Sequence, residues 1–479
     1  MIPIAVPAVI ALPALAAVVL AIIPSYRLGA WVNLLVSTAV FVISASLFHT
    51  PLAVSDYFLL DEFNIYLIVL NTFVGMTTSI FSATYISHEL ENGKLSFGHL
   101  RFYHAMYQIL MASMNLALLS NNLGLMWVGI ELATLTTVVM VGIYRTPAAI
   151  EASWKYFILG SVGISLAFFG IILIYLAAQP IIGEGSASLT FTKLMVSSAK
   201  MDPKLLSLAF VFLLVGYGTK VGLAPLHAWL PDAHAEGPTP ISAVLSGLLL
   251  NVALYALLRF KMLLAGNASV LSPGPILVTM GLVSLVFAGI MLYQRKDIKR
   301  LFAYSSIEHM GIITFAFGLG GPLANFAGLL HMTMHSLTKS AIFFAVGHIS
   351  QAKGTQNLAD IRGLGTTHPV LSWGLVLGVA AIAGLPPFGV FTSEFLIITT
   401  TFAQHPLLAI LLVIGLLIAF CALLMRLQEI VFGPPSETSR PVHASLAPLF
   451  IHLMLVLLAG IHLPGELAQW FTRVAEMLG

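Results

Sequence analysis

Charged residues are scarce in this chain. Aspartate, glutamate, lysine and arginine make up 8% of its 479 residues, whereas a soluble domain carries about 25% of them. The formal net charge is only +2, so the basic surface of a nucleic-acid-binding protein is not expected. Hydrophobic residues instead make up 59% of the chain. This composition predicts an all-α polytopic membrane protein with little mass outside the bilayer.

Cysteine is nearly absent as well. Cys421 is the single thiol, so the chain cannot form an internal disulfide, and the several ligands of an iron–sulfur cluster or a structural zinc site are missing. The sequence also lacks the glycine motif of a dinucleotide-binding fold and a haem signature. We therefore expect no cofactor, no metal and no redox centre in this chain. Because Cys421 lies within a long apolar run, we expect its thiol to be buried and inert.

Long apolar stretches dominate the rest of the sequence. A helix needs about 20 mostly apolar residues to cross a bilayer, and about fourteen stretches qualify. The first has no basic leader and is too long for a signal peptide, so we expect it to be retained as a helix. The polar linker 179–203 is expected to be a surface loop. The predicted spans are 3–24, 29–48, 62–87, 100–120, 123–144, 152–178, 204–228, 239–262, 273–293, 298–320, 322–350, 369–399, 406–431 and 445–463.

The basic residues of the predicted loops indicate the orientation. They are more numerous on the side opposite the two termini, where Arg145, Arg295 and Arg440 are examples. Cytoplasmic loops carry the excess of lysine and arginine. We therefore expect a multi-pass protein of the cell's inner membrane with both termini on the non-cytoplasmic side.

Two predicted spans are interrupted near their middles by glycine and proline. The seventh contains Gly222 and Pro225, and the twelfth contains Pro386 and Pro387. Proline removes a helical hydrogen bond, and freed backbone groups in a bilayer need partners in protein or water, so broken helices line cavities. Each broken span is the fourth of a five-span block, and an odd number of spans inverts the second block. We therefore predict two inverted five-helix repeats with the ion path at the breaks.

These blocks predict the organisation of the chain. Residues 1–99 hold three N-terminal spans, and residues 100–262 form the first repeat. Residues 263–432 form the second repeat, and residues 433–479 hold the last span.

Four charged residues lie at membrane depth close to the breaks. Glu131 and Lys220 belong to the first block, and Lys339 and Glu394 belong to the second. A charge at the bilayer centre costs about 2.5–3.5 kcal/mol on insertion scales, so such residues mark ion paths by default. A buried lysine holds or releases its proton according to whether a carboxylate is near, so each acid–lysine pair is predicted to be a proton switch. The alternative is a pair kept for helix packing, although buried pairs stabilise less well than apolar replacements.

Histidines extend this pattern. His331, His335 and Lys339 are spaced by four residues and share one helical face. Histidine is suited to passing protons near neutral pH, so the stripe predicts a proton relay, with packed histidines as the alternative. A metal on the histidine pair is not expected, because no third ligand is evident.

The segments flanking the breaks carry further candidates. Residues 225–240, which include His227, form a connector dense in proline, histidine and acids, and either a gate or a structural turn fits it. Lys299 opens the tenth span and is expected to reach inward. Glu308 and His309 follow the basic cluster QRKDIKR.

Long motifs in these regions resemble a known family. The run GTKVGLAPLHAWLPDAHAEGPTPISAVLSGLLLN is similar to the signature of the antiporter-like membrane subunits of respiratory complex I, Mrp-type sodium/proton antiporters and group 4 membrane-bound hydrogenases. The runs QRKDIKRLFAYSSIEHMG, HMTMHSLTKSAIFFAVGH and GLPPFGVFTSEF resemble the second-half motifs. The resemblance covers nearly the whole chain. Residues 118–164 are most similar to component F of the hydrogenase-4 and formate hydrogenlyase type.

The resemblance implies a fourteen-helix core and proton translocation coupled to redox chemistry in a neighbouring peripheral arm. Glu131 matches the family's glutamate on the fifth helix, and Lys220 matches the lysine of the broken seventh helix. Lys339 matches the second-half channel lysine, Glu394 the ionisable residue of the broken twelfth helix, and Lys299 a lysine of the central polar axis.

The chain departs from the family pattern on the eighth helix. Many relatives carry a lysine or histidine there, where this chain has Ser246 and Asn251. Because neither residue titrates near neutral pH, the connection from Lys220 to Lys339 is weakened. The chain also ends soon after the last span, without the family's long lateral helix, which argues against the distal subunit of complex I.

Three functions fit these observations. The first is a proton-pumping membrane subunit of a hydrogenase-4-like oxidoreductase complex, with other membrane subunits and a nickel–iron hydrogenase-like or quinone-reductase-like arm as partners, no nucleic acid, and the redox reaction in other subunits. In this scheme Lys220 releases a proton along the axis to Lys339, and Glu394 passes it on. The second is an Mrp-type sodium/proton antiporter module. The third is a scaffold whose channel is inactive.

Overall fold

The computed structural model describes residues 2–435 and 445–479. Arg440, one of the basic loop residues used above for orientation, lies outside the described residues. The described part is built from α-helices, and its only paired strands are β1 (Ala53–Val54) and β2 (Leu59–Leu60), which form an antiparallel hairpin. The helices are α1 (Ala5–Ile22), α2 (Tyr26–Ser46), α3 (Glu62–Glu91), α4 (Phe97–Leu119), α5 (Leu123–Val141), α6 (Pro147–Ile182), α7 (Phe191–Ser197), α8 (Pro203–Val221), α9 (Leu230–Glu236), α10 (Thr239–Val244), α11 (Leu250–Ala265), α12 (Pro273–Leu292), α13 (Ile298–Leu319), α14 (Pro322–Lys353), α15 (Leu364–Thr367), α16 (Pro369–Ile382), α17 (Gly389–Gln404), α18 (Pro406–Phe432), α19 (Ala447–Ile461) and α20 (Gly465–Met477).

Every predicted span coincides with one of these helices or with a pair of them. Nine of the described helices are long and apolar enough to cross a membrane, or ten if α19 and α20, which meet at 81°, are one span. The helices α4, α13 and α14 occupy predicted spans but fall outside that group. The polytopic all-α membrane fold is thus confirmed, and the count of fourteen stays a prediction.

The outer surface of the bundle is apolar. Large hydrophobic side chains such as Leu15, Trp31, Leu35, Phe402 and Leu407 are exposed on it. Soluble monomers rarely expose so many large apolar side chains together. The chain is therefore embedded in a membrane.

Cys421 is exposed on this outer surface, contrary to the expectation that its thiol is buried. The helix α18 is apolar on all sides around Cys421, so its sequence has no pattern that separates the lipid-facing side from the packed side. Apolar surroundings in the sequence therefore indicated membrane depth but not burial within the protein.

Two further expectations about regular structure were incomplete. The linker 179–203, expected to be a loop, contains the end of α6, a 3₁₀ turn at Gly185–Leu189, the helix α7 and a second 3₁₀ turn at Ser198–Lys200. The C-terminal helix α20 was not predicted, because it is amphipathic rather than apolar throughout. Its Phe471 and Val474 pack inward, while Glu466 and Thr472 face outward.

The first break separates α8 from α9. Gly222 ends α8 with φ +79°, the left-handed conformation that favours glycine at this position. The N–H of Leu223 then bonds back to the carbonyl of Gly218 at 3.0 Å, and the N–H of Ala224 donates to Ser284 Oγ of α12 at 2.9 Å. The chain therefore leaves the helix at membrane depth without unpaired backbone groups at these positions.

The second break separates α16 from α17 in a similar manner. Gly384 has φ +68°, and the N–H of Leu385 bonds back to the carbonyl of Ala380 at 3.0 Å. Each break also contains a cis peptide bond before proline, at Pro225 and at Pro387. The breaks are where the sequence predicts them, and the division of the chain into inverted repeats stays a prediction.

The centre of the bundle consists of α10, α11, α13 and α14. These helices are buried on nearly every face, including the faces that carry histidine and lysine. Between α10 and α11 the residues Leu245–Leu249 form a π-helical turn. Such turns interrupt the regular backbone bonding and are frequent at functional sites.

Candidate functional site

Lys220 and Glu131 are neighbours in the first half of the chain. Lys220 is 2% exposed, and its Nζ lies 3.6 Å from Glu131 Oε2. The same ammonium donates a hydrogen bond of 2.8 Å to Thr134 Oγ1, one turn along α5 from Glu131. The structure therefore brings together the acid and the lysine that the sequence pairs. The hydroxyl of Thr134 provides a second link between α5 and α8.

The pocket around Lys220 is made of small and aromatic residues. A Cβ at Gly160 would lie 3.0 Å from Lys220 Nζ, so only glycine leaves the ammonium its full space. Trp229, just after the first break, stacks on Tyr156 at a ring-centroid distance of 4.2 Å and donates to the carbonyl of Thr219 at 2.8 Å. These contacts tie the broken helix to α6 beside Lys220.

The segment between the two lysines is uncharged but polar. Ser246 Oγ lies 2.7 Å from Ser306 Oγ, and Asn251 donates to Ser336 Oγ at 2.6 Å. All four side chains are buried, and the π-helical turn carries Ser246. Hydroxyl and amide groups therefore occupy the position at which the family resemblance implies a titratable residue.

Lys339 lies in the second half, fully buried on α14. Its Nζ donates to the carbonyl of Phe302 at 3.0 Å and lies 5.7 Å from the centroid of the Phe302 ring. The carboxylate that interacts electrostatically with Lys339 is Glu308 of α13. The sequence instead pairs Lys339 with Glu394. Among the described residues neither carboxylate forms an ion pair with Lys339, and the charge that acts on it is that of Glu308. The acidic neighbour of Lys339 was therefore missed.

A histidine cluster leads away from Lys339. His309 Nδ1 and His331 Nε2 lie 3.0 Å apart, and His331 Nδ1 lies 2.9 Å from Ser393 Oγ of α17. The His335 ring is 5.7 Å from that of His309, and neither of its nitrogens has a hydrogen-bond partner among the described residues. The predicted stripe on α14 therefore extends sideways through His309 to α17.

Glu394 lies at the far end of this cluster. Ligand atoms of His309, His331 and Glu394 lie within 4.8 Å of one another. A Cβ at Gly384, in the second break, would collide with the Glu394 carboxylate, so glycine leaves that carboxylate its space. The facing nitrogens of the two histidines are engaged with each other, which suits proton transfer between them. A cavity of about 250 Å³ opens beside Glu394. It is lined by residues that include Glu308, Gly384, Phe391, Glu394 and Phe420.

Lys299 lies apart from both pairs, at the start of α13. Its Nζ donates to the carbonyls of Gly237 at 2.8 Å and Ala235 at 3.3 Å, so it reaches inward as expected. It lines a second cavity, of about 380 Å³. Burial raises the pKa of the Glu236 carboxyl on this cavity and that of Asp297, which caps α13.

The remaining predicted residues occupy structural positions. His227 packs against the Phe287 ring at 4.8 Å, and Gly222 and Pro225 form the first break. Pro386 and Pro387 form the second break and are exposed. His234 of α9 was not singled out by the sequence reasoning, although it lies in the connector 225–240. The feature of the sequence that could have identified His234 is a titratable side chain beside a proline-rich break.

Known proteins share this architecture. Residues 120–419 match the transmembrane family described as NADH:quinone oxidoreductase/Mrp antiporter. The chain is 59% identical over 471 residues to a hydrogenase-4 component F homolog of Methylacidiphilum infernorum (isolate V4), covering 98% of this chain and 99% of that protein.

Two solved structures have a similar fold. One is a chain of the membrane-bound sulfane sulfur reductase, an archaeal respiratory membrane complex, with a TM-score of 0.89, 23% identity and coverage of 99% of this chain and 97% of that one. The other is a chain of the Mrp complex from Dietzia sp. DQ12-45-1b, with a TM-score of 0.86, 20% identity and coverage of 98% and 96%. This chain therefore belongs to the transmembrane family of NADH:quinone oxidoreductase and Mrp antiporter subunits.

Proposed function

We propose that this chain is the proton-translocating membrane subunit of a multi-subunit oxidoreductase, in which electron transfer in a peripheral arm drives proton pumping. The observation that carries the proposal is the set of buried titratable groups beside the two breaks. Lys220 with Glu131 lies at one end, and Lys339 with Glu308 lies at the other. Buried charges at membrane depth are costly and persist where they serve transport.

The first half acts as the switch. The 3.6 Å separation of Lys220 and Glu131 is longer than a hydrogen bond, while Thr134 holds the ammonium at 2.8 Å. A small movement of the Glu131 side chain therefore changes the carboxylate field at Lys220 without breaking the hydrogen bond to Thr134. Because an approaching carboxylate favours the charged lysine, the movement decides whether Lys220 holds its proton.

The second half carries the proton outward. Lys339 passes its proton to the group formed by Glu308, His309 and His331, and Glu394 receives it at the cavity. The contact of 3.0 Å between His309 and His331 supports this order, as does the position of Glu394 at the cavity wall. Histidine exchanges protons on two nitrogens, so it serves as acceptor on one side and donor on the other.

The 59% identity to a hydrogenase-4 component F homolog supports a hydrogenase-4 or formate hydrogenlyase-like complex. Its partners would be further membrane subunits and a nickel–iron hydrogenase-like arm, in the cell's inner membrane. The distribution of basic loop residues supports both termini on the non-cytoplasmic side. The corresponding breaks before α9 and α17 support two inverted repeats, 100–262 and 263–432.

The test is gentle extraction of the complex from its native membrane, followed by mass spectrometry and reconstitution into vesicles. Recovery with redox-arm subunits and proton uptake driven by electron transfer are the expected results. An Mrp-type antiporter has the same fold, so sodium/proton exchange is measured in the same vesicles without a reductant. Recovery with membrane subunits alone, together with sodium-dependent exchange, would replace the proposal with the antiporter.

A further inference from the structure

The cavity at Lys299 reaches from the surface into the second half of the bundle. Lys94 and Thr146 on its wall are exposed, whereas Glu89 and Lys299 are each 1% exposed. Glu236 adds a second carboxylate to the wall. A cavity of about 380 Å³ has room for several waters. Two carboxylates therefore line the cavity together with the ammonium of Lys299.

Lys299 connects this cavity to α9. Its two hydrogen bonds go to the carbonyls of Ala235 and Gly237, the residues on either side of Glu236. Backbone carbonyls at the end of a helix hold a cation well. His234 immediately precedes Ala235, so a titratable ring adjoins, on the same short helix, the carbonyl to which Lys299 donates.

No hydrogen bond among the described residues accounts for the buried position of the His234 ring. The ring is fully buried, and neither of its nitrogens has a hydrogen-bond partner among the described residues. It stacks flat on Phe343, with centroids 4.8 Å apart, and Phe343 lies one helical turn after Lys339 on α14. The charges of both Lys339 and Lys299 act on the ring. A buried polar group without partners is costly, and each instance in a folded protein requires an explanation.

The route between the two lysines of the main axis is different in kind. That segment contains two hydrogen-bonded pairs, Ser246 with Ser306 and Asn251 with Ser336. None of these side chains changes its charge near neutral pH. His234, in contrast, is a titratable group within electrostatic range of Lys339.

We propose that the proton that loads Lys339 is taken up from the cavity through Lys299 and His234, while the Ser246–Asn251 segment carries no net proton. This inference rests on the proposed function of the chain. One proton moves in each cycle, and the ring stays neutral: as one imidazole nitrogen takes the proton of the Lys299 ammonium, the other nitrogen releases its own proton to the neutral Lys339 amine. Glu236 and Glu89 resupply Lys299 from the cavity. Lys220 then sets the timing of Lys339 through its charge.

The first test replaces His234 by phenylalanine in the intact complex, reconstituted into vesicles. Phenylalanine keeps the stacking on Phe343 and removes both nitrogens. The expected result is a severalfold fall in protons moved per electron. The matched control is His104→Phe. The His104 ring is likewise buried, packs against Tyr103, and has no hydrogen-bond partner for either nitrogen among the described residues. Equal proton-to-electron ratios in the two variants would overturn the inference.

A second test closes the cavity chemically and does not alter His234. Thr355 lies on the cavity wall in the loop after α14, and Thr366 lies outside the cavity, exposed on the short helix α15. Each is changed to cysteine in a Cys421→Ser background, so that the chain has one accessible thiol. A bulky thiol reagent is expected to lower the proton-to-electron ratio of the Thr355→Cys complex and to leave the Thr366→Cys complex unchanged. Equal ratios before and after labelling of the cavity cysteine would overturn the inference.

The Lys339→Met complex distinguishes a failure of the uptake route from a failure of the proposed function. If it fails to pump while the His234→Phe and labelled Thr355→Cys complexes pump normally, the uptake route is wrong and the proposed function stands. If the Lys339→Met complex pumps normally, the proposed function fails as well.

Discussion

The ammonium of Lys220 lies closer to the hydroxyl of Thr134, at 2.8 Å, than to the carboxylate of Glu131, at 3.6 Å. The acid is therefore near enough to stabilise the charge and is not locked to it by a hydrogen bond. Glu131 is also 16% exposed, whereas Lys220 is 2% exposed. The carboxylate thus lies between the buried lysine and the outer face of the subunit.

Glu131→Gln is expected to uncouple electron transfer from pumping. Glutamine keeps the size of the side chain and removes the charge that acts on Lys220. An opposite charge within about 4–6 Å changes the proton affinity of a neighbouring group by about tenfold or more, so the proton-to-electron ratio should fall severalfold. The measurement is the proton-to-electron ratio in vesicles. The control is Glu151→Gln on the exposed surface of α6, and an unchanged ratio in Glu131→Gln would favour the inactive scaffold.

Gly160→Ala is expected to impair pumping without unfolding the subunit. The new Cβ would lie 3.0 Å from Lys220 Nζ and must displace the ammonium from its place between Thr134 and Glu131. Alanine is otherwise the better helix former, by about 1 kcal/mol. Pumping is compared with that of Gly289→Ala, whose Cβ meets its neighbours at ordinary distances of 3.4 Å or more. Equal pumping by both variants would show that the position of the ammonium is unimportant.

Glu308, and not only Glu394, is expected to act with Lys339. The Glu308→Gln complex should pump less than the wild type, and Glu308→Gln combined with Lys339→Met should pump no worse than Lys339→Met alone, because groups that work as a unit are not additive. Proton-to-electron ratios of the three complexes test this. Glu429→Gln on the exposed part of α18 is the control. A wild-type ratio in the Glu308→Gln complex would mean that Lys339 works without Glu308.

The Arg259–Asp61 pair is expected to stabilise the fold. Arg259 is 3% exposed, lies 2.7 Å from Asp61 Oδ2 and contacts the rings of Phe63 and Tyr255. Removing one partner of a buried pair costs about 3–5 kcal/mol, so Arg259→Met should lower the thermal unfolding temperature of the detergent-solubilised complex.

The control for that measurement is the exposed pair of Lys193 and Asp56, also separated by 2.7 Å. Exposed pairs contribute about 0–1 kcal/mol, so Lys193→Met should leave the unfolding temperature nearly unchanged. A larger effect for Lys193→Met than for Arg259→Met would contradict the assignment of stability to the buried pair.

The sequence predicted those features that depend on local composition. Apolar runs of about 20 residues specify helices in a bilayer, and glycine with proline specified both breaks, where Gly222 and Gly384 adopt left-handed conformations. Glu131 and Lys220 were correctly predicted as neighbours because few charged residues lie at that depth.

Features that depend on which helices pack together were not predicted. Glu308 approaches Lys339 only because α13 packs against α14, and His309 meets His331 for the same reason. Charged residues are scarce within the predicted spans, and the presence of Glu308 in the tenth span was the feature that could have identified it. The exposure of Cys421 and the burial of His234 likewise follow from helix packing, which an evenly apolar sequence does not encode locally.

The most direct test of the central claim is the proton-to-electron ratio of the Lys220→Met complex in sealed vesicles. Lys204→Met is the matched control, because Lys204 lies on the same helix α8 but is exposed at its start. Pumping is expected to be lost in Lys220→Met and retained in Lys204→Met, with both complexes assembled and transferring electrons. A wild-type ratio in Lys220→Met would contradict proton translocation through this site.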